Sequence, residues 1–304
     1  MEDFACTWGR IACAVFFFLS SYGICKSQQK NDYNFLSFCK KRLSRIYNPL
    51  VIVNLLAILG GSLLLKNAFV IPQYKLVGHE IVFIEDYSFA TFFYYIFGFN
   101  KIDGATWFID VLILSYIFIW LVRKIEKRLF RITFIVVVPV ILLIFDRICG
   151  THICLWPTDV IGIIMGLLSF EFEQTITSFI KNYYRPVLSI SIASFSALIF
   201  LYIKLKDNNT IEWKYMEMIM LLYSLFSIFI VLSISISNKC NHPKLCSALG
   251  GISFFVYLLH IKVINVINFF DIRPLLTYSL IFVAVLSVIL FQIDNRIQKL
   301  IWKK

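Results

Sequence analysis

The stretch ALGGISFFVYLLHIKVINVI, residues 248–267, sets one lysine and one histidine in an otherwise mostly apolar run. About 20 such residues, wound as a helix, cross a hydrocarbon core roughly 30 Å thick. The chain repeats this length of apolar sequence. Nine spans are expected, at about 8–25, 47–65, 107–122, 130–145, 152–170, 187–203, 216–237, 248–268 and 275–293. The fold class is therefore all-α, a polytopic helical bundle in a membrane, and the chain reads as one membrane domain over 1–304. The aromatic run SFATFFYYIFGF at 88–99 is too short to cross and is expected in the interface or as a re-entrant piece.

Composition agrees. Of the 304 residues 60% are hydrophobic and 15% charged, with 31 phenylalanines, far from the make-up of a water-soluble domain. The net charge of +11 invites a nucleic-acid partner, but its distribution speaks against one. If 26–46 faces the cytoplasm, the inside segments hold 19 Lys and Arg and the outside segments 8. That is a positive-inside bias, so the basic charge sets topology. It places the C-terminus in the cytoplasm and, with an odd number of spans, the N-terminus outside. MEDFACTWGR lacks the basic start of a signal peptide, and one further span before Met1 would put both ends inside.

The eight cysteines, at 6, 13, 25, 39, 149, 154, 240 and 246, contain no CxxC pair and mostly lie in or beside spans, where cysteine behaves as a small apolar residue. Cys240, His242 and Cys246 cluster in one loop, but three ligands without a fourth do not make a metal site. No metal is expected.

Polar side chains inside spans are costly in lipid unless they face a cavity or a partner. His260 sits near the middle of its span, and Ser253, Tyr257 and His260 follow at spacings of four and three, on one helix face. That stripe either lines a polar cavity or packs through a hydrogen bond to a neighbouring helix. In FLSFCKKRLSRIYNP, Arg42 and Arg45 lie one turn apart beside Lys40 and Lys41; they either converge on a phosphate or serve as a topogenic cluster meeting anionic headgroups. In GATWFIDVLILSY, Trp107 is placed like an interfacial belt residue. Asp110 lies about one turn deeper and needs a partner or a cavity. In FFFLSSYGICKS, 16–27, the small polar patch of Ser20, Ser21 and Tyr22 ends an apolar span.

Together these stretches resemble the membrane acyltransferase 3 family. FFFLSSYGICKS looks like its FFxLSGYxL segment, FCKKRLSRIYNP like FxxrRxxRixP, TWFIDVLILSY like lWFlxxLxxxY, and ISFFVYLLHIKV like iSyxiYLxHxpv, in the family's order from residue 8 to about 290. Ser21 stands where the family more often has glycine. FFFLSSYGICKS resembles the end of the family's second span, so the chain reads as lacking the first, which would carry the family's usual catalytic histidine. That leaves the competence of this chain as an acyltransferase in doubt.

The resemblance implies an O-acetyltransferase of the bacterial inner membrane. Acetyl-CoA would be its cytoplasmic donor, and a hydroxyl of a surface polysaccharide or its lipid-linked precursor the acceptor, with no permanently bound cofactor. By the same resemblance Arg42 and Arg45 would bind acyl-CoA. Ser20, Tyr22, Trp107, Asp110, Ser253 and Tyr257 would line the cavity, and His260 is the catalytic candidate present. Two other readings stand beside it: a flippase for lipid-linked sugars, which should show broken helices near mid-membrane or paired repeats, and an inactive relative keeping the fold.

Overall fold

The computed structural model describes residues 2–30, 34–65, 71–75, 81–84, 88–104, 107–149, 156–207, 213–236, 243–272 and 274–301. The helices among them are α1 (Glu2–Lys30), α2 (Phe35–Leu65), α3 (Phe89–Ile96), α4 (Trp107–Lys124), α5 (Arg128–Cys149), α6 (Pro157–Glu171), α7 (Glu173–Asn182), α8 (Tyr184–Asp207), α9 (Trp213–Ile236), α10 (Pro243–Phe269) and α11 (Leu275–Ile301); β1 (Ile71–Tyr74) and β2 (Ile81–Ile84) are the strands. Each of the nine expected spans falls on one of these helices. Seven, namely α1, α2, α5, α8, α9, α10 and α11, are long and apolar enough to cross a membrane, so this is a multi-pass membrane protein.

The other two expected spans fall on α4, which carries charge at both ends, and on α6, which is long and apolar enough to cross only together with α7. Asp110, Arg123 and Lys124 bring three charges into the 18 residues of α4, although all three sit at its ends. α6 has 15 residues, about 22 Å at 1.5 Å per residue, short of the roughly 30 Å core. It turns into α7 through 91° at Phe172. The corner is held by charge: Arg131 Nη2 donates to Glu171 Oε2 at 2.8 Å and Arg128 Nη2 to the Glu171 carbonyl at 3.3 Å. Arg123 and Lys124 end α4 and Arg128 begins α5, so basic residues gather at this end of the bundle, as they do at membrane interfaces.

The chain forms two compact units. In the first, Met1–Phe35 with Asp110–Asn241, α1 packs most extensively on α6. The reason is the pair Gly162 and Gly166, four residues apart on one face. A Cβ on Gly162 would lie 2.4 Å from the Ala14 carbonyl oxygen; one on Gly166 would lie 2.5 Å from that of Phe18 and 2.8 Å from Ser21 Cβ. Small residues at this spacing let backbones approach, and close packing is what drives helices together in lipid. Ser21, 1% exposed, is small because Gly166 lies against it. α8 and α9 close through Phe195 on Tyr223, ring centroids 5.1 Å apart.

The second unit is Leu36–Ile109 with His242–Lys304. Its α10 and α11 pack with the Phe291 ring seated where a Cβ on Gly251 would stand, 2.1 Å from Cε2. A short antiparallel hairpin, Ile71 opposite Ile84 and Tyr74 opposite Ile81, covers a core of Ala57, Ile58, Tyr95, Ile96, Ile102 and Ile261. Asn54, 1% exposed, donates from Nδ2 to the carbonyls of Tyr95 at 3.0 Å and Ile96 at 3.2 Å, adding a side-chain donor to the last carbonyls of α3. The chain leaves α3 through Gly98 at φ +76°, a left-handed turn suited to glycine.

Candidate functional site

α10 carries the stripe that the sequence singled out. Ser253 is exposed and its Oγ donates back to the Gly250 carbonyl at 2.8 Å. Tyr257 is half-buried, its ring 4.6 Å from Phe108, which in turn meets Trp107 edge-on at 6.2 Å. His260 is half-buried, with Nδ1 2.6 Å from the Tyr257 carbonyl oxygen. A carbonyl only accepts, so in the neutral ring the proton sits on Nδ1 and Nε2 keeps its lone pair. The ring is thereby held in the tautomer that a proton acceptor needs.

Two residues beyond His260, Lys262 forms an ion pair with Asp103 and also donates to the Leu258 carbonyl at 3.0 Å. Both partners are deeply buried, 4% and 5% exposed. Asp103 follows α3 and forms a bridge with Tyr74, whose amide donates to the Ile102 carbonyl at 2.8 Å. Asn265 Nδ2 donates to the Lys75 carbonyl at 3.0 Å, so α10 is tied to the hairpin by side chains one turn apart. Burial first, then the Asp103 charge, pushes the Tyr74 phenol well above its ordinary range, the mark of a poorly hydrated pocket. The charges of Asp103 and Lys262 both reach His260.

Arg42 and Arg45 lie in the same unit at another depth. Arg42 sits over the Phe38 ring at 6.0 Å, and the charge of the exposed Arg45 reaches Asp294 on α11. α10 and α11 are level at Gly251 and Phe291. Asp294 is three residues from that level and His260 nine in the other direction, a separation of about 18 Å along the helices.

The remaining expected site residues belong to the first unit. Ser20 Oγ is 3.4 Å from Tyr116 Oη. Tyr22 Oη donates to Glu173 Oε1 at 3.0 Å, and Lys26 Nζ pairs with Glu173 Oε2 at 2.5 Å. Tyr22 and Glu173 border a cavity of about 290 Å³. Asp110 is half-buried in the first turn of α4, where a carboxylate complements the helix N-terminus. The structure thus brings Trp107, Tyr257 and His260 into one chain of ring contacts and leaves Arg42 and Arg45 some way along the same unit. Cys240 and His242, and the side chain of Cys246, lie outside the described residues.

A family model described as an acyltransferase domain, of acyltransferase 3 type, matches residues 2–292. The chain belongs to this family. Neither a curated protein nor a solved structure matches it. Membership makes the protein a membrane acyltransferase by family. Within the family's iSyxiYLxHxpv segment, Lys262 stands at the proline position, and the structure gives this lysine a buried partner. Sequence reading missed that pair: Lys262 was visible as a charge inside an apolar span, but its partner lies 159 residues away in a loop with no periodicity of its own.

Proposed function

We propose that this acyltransferase moves an acetyl group from acetyl-CoA to a hydroxyl of a cell-surface glycan or its lipid-linked precursor, in the inner membrane with the C-terminus cytoplasmic. The observation that carries the reading is His260, held through Nδ1 by a carbonyl with Nε2 left to accept a proton. Nε2 takes the acceptor's hydroxyl proton as that oxygen attacks the thioester carbonyl. The carbon–sulfur bond then breaks and the imidazolium returns the proton to the departing thiolate. Ser253 and Tyr257, on the same stripe, orient the acceptor.

Arg42 and Arg45 would hold the donor's phosphates. Asp294, which feels the Arg45 charge, lies about 18 Å from His260 along the helices, and this suits a donor that carries its phosphates at one end and its thioester at the other. Among the described residues the 91° bend after α6 is a feature that favours transport, yet its charged corner suits an interface better than the mid-membrane break a transporter uses.

Acetyl content of the surface glycan, compared between a deletion strain and its parent, tests the proposal. Loss of ester-linked acetyl groups with glycan export intact is expected. Unchanged acetylation with less exported glycan would transfer the case to transport.

A further inference from the structure

The 290 Å³ cavity of the first unit lies among α1, α6, α7 and α9, and its lining is of two kinds. One is apolar, formed by Phe18, Leu19, Ile176 and Leu232. The other carries hydroxyls and a cation: Ser169, Thr177, Ser235 and Lys181. Ser169 is 2% exposed and its Oγ has almost no accessible surface, so Thr177 and Ser235 are the hydroxyls that a ligand can reach. Lys181 is exposed at the cavity edge, one turn beyond Thr177 on α7, and makes no ion pair among the described residues. The lining also holds one acid, Glu173, which is engaged by Lys26 and Tyr22, so Lys181 remains as the cation available to a ligand.

We infer that this cavity binds the phosphate-bearing headgroup of a lipid, with the hydroxyls and Lys181 on the phosphate and the first part of one chain on the apolar wall. The volume is at the lower end of the range for small-molecule sites, ~300–1,000 Å³, enough for a headgroup and a few methylenes but not a whole lipid. The setting agrees, because the cavity borders the charged α6–α7 corner, and basic side chains at an interface draw anionic headgroups. A diacyl phospholipid of the bilayer and a polyprenyl phosphate that carries glycan share this chemistry. The site shares Tyr22 with the residues that the family resemblance assigns to the acyl-transfer cavity, but none of its residues belongs to the His260 stripe, so lipid retention and acetyl transfer are read separately.

The test is lipid retention by the purified full chain in neutral detergent, read by native mass spectrometry. The probes are phosphatidylglycerol, phosphatidylcholine with the same chains, and a polyprenyl phosphate. The wild type is expected to keep phosphatidylglycerol in preference to phosphatidylcholine. Lys181→Gln, a surface change that leaves folding intact, should lower that retention roughly tenfold, and Leu232→Trp, which fills the apolar wall, should abolish it. Displacement of phosphatidylglycerol by stoichiometric polyprenyl phosphate would identify the glycan carrier as the occupant; its failure to displace would identify the bilayer phospholipid, and either supports the site. Equal retention of the two phospholipids, a Lys181→Gln protein indistinguishable from wild type, or displacement of lipid by water-soluble acetyl-CoA would overturn the inference.

Discussion

Removing one partner of the Lys262–Asp103 pair should be far worse than removing both. Asp103→Asn leaves an ammonium that is 4% exposed and still donates to the Leu258 carbonyl at 3.0 Å. Lys262→Met leaves a carboxylate that is 5% exposed without its cation. Removing one partner of a buried ion pair costs about 3–5 kcal/mol, whereas replacing the pair by neutral groups of similar volume is often close to neutral. Each single variant should therefore melt on the order of ten degrees lower in detergent, and the double variant Asp103→Asn with Lys262→Met should recover most of the loss. A thermal double-mutant cycle on purified protein measures this, with a coupling of several kcal/mol expected. Single-variant losses that simply add in the double variant would refute the reasoning and mean that the pair is hydrated in solution.

Gly166→Leu should break the α1–α6 contact. Its side chain would run into the Phe18 carbonyl and Ser21, and overpacking of this kind costs about 1–3 kcal/mol or more, read as a lower melting temperature or lost folded yield, while the same change at Gly60, which has nothing within 4 Å, should be tolerated. Arg42→Ala and Arg45→Ala should each weaken acetyl-CoA binding roughly tenfold by equilibrium titration, and unchanged affinity in both would return these arginines to a topogenic role. Reporter fusions after Lys304 and within 26–46 should both report the cytoplasm, as the distribution of Lys and Arg requires; an external signal at either site would reverse the proposed orientation.

Hydropathy made the long helices legible because a lipid-facing helix must be apolar along its whole length, and α5, α9 and α11 have no way to hide that. The stripe of Ser253, Tyr257 and His260 was legible for a related reason, since spacing alone fixes which side chains share a helix face. The hairpin was not: IPQY and IVFI are four residues each, and one contains a proline, so neither offers an alternation long enough to read. The end of α6 at Glu171 falls within a residue of the expected 170, but the bend into α7 was hidden because no glycine or proline marks it. It is fixed by Arg131 and Arg128 reaching Glu171 from α5, a contact that spacing cannot reveal. The partners of Ser20 and Tyr22, Tyr116 and Glu173, lie 96 and 151 residues away; each of these polar groups announced a need for a partner without saying which.

The claim on which the rest depends is that His260 accepts a proton during acyl transfer, and His260→Gln tests it most directly, since glutamine keeps size and hydrogen bonding but cannot act as a base near neutral pH. Transfer of labelled acetyl groups from acetyl-CoA to the glycan fraction should be measured in membranes holding wild type or variant at matched, folded levels. A fall of about 10²–10⁴ in rate with donor binding unchanged is the predicted result, and transfer at the wild-type rate would contradict it.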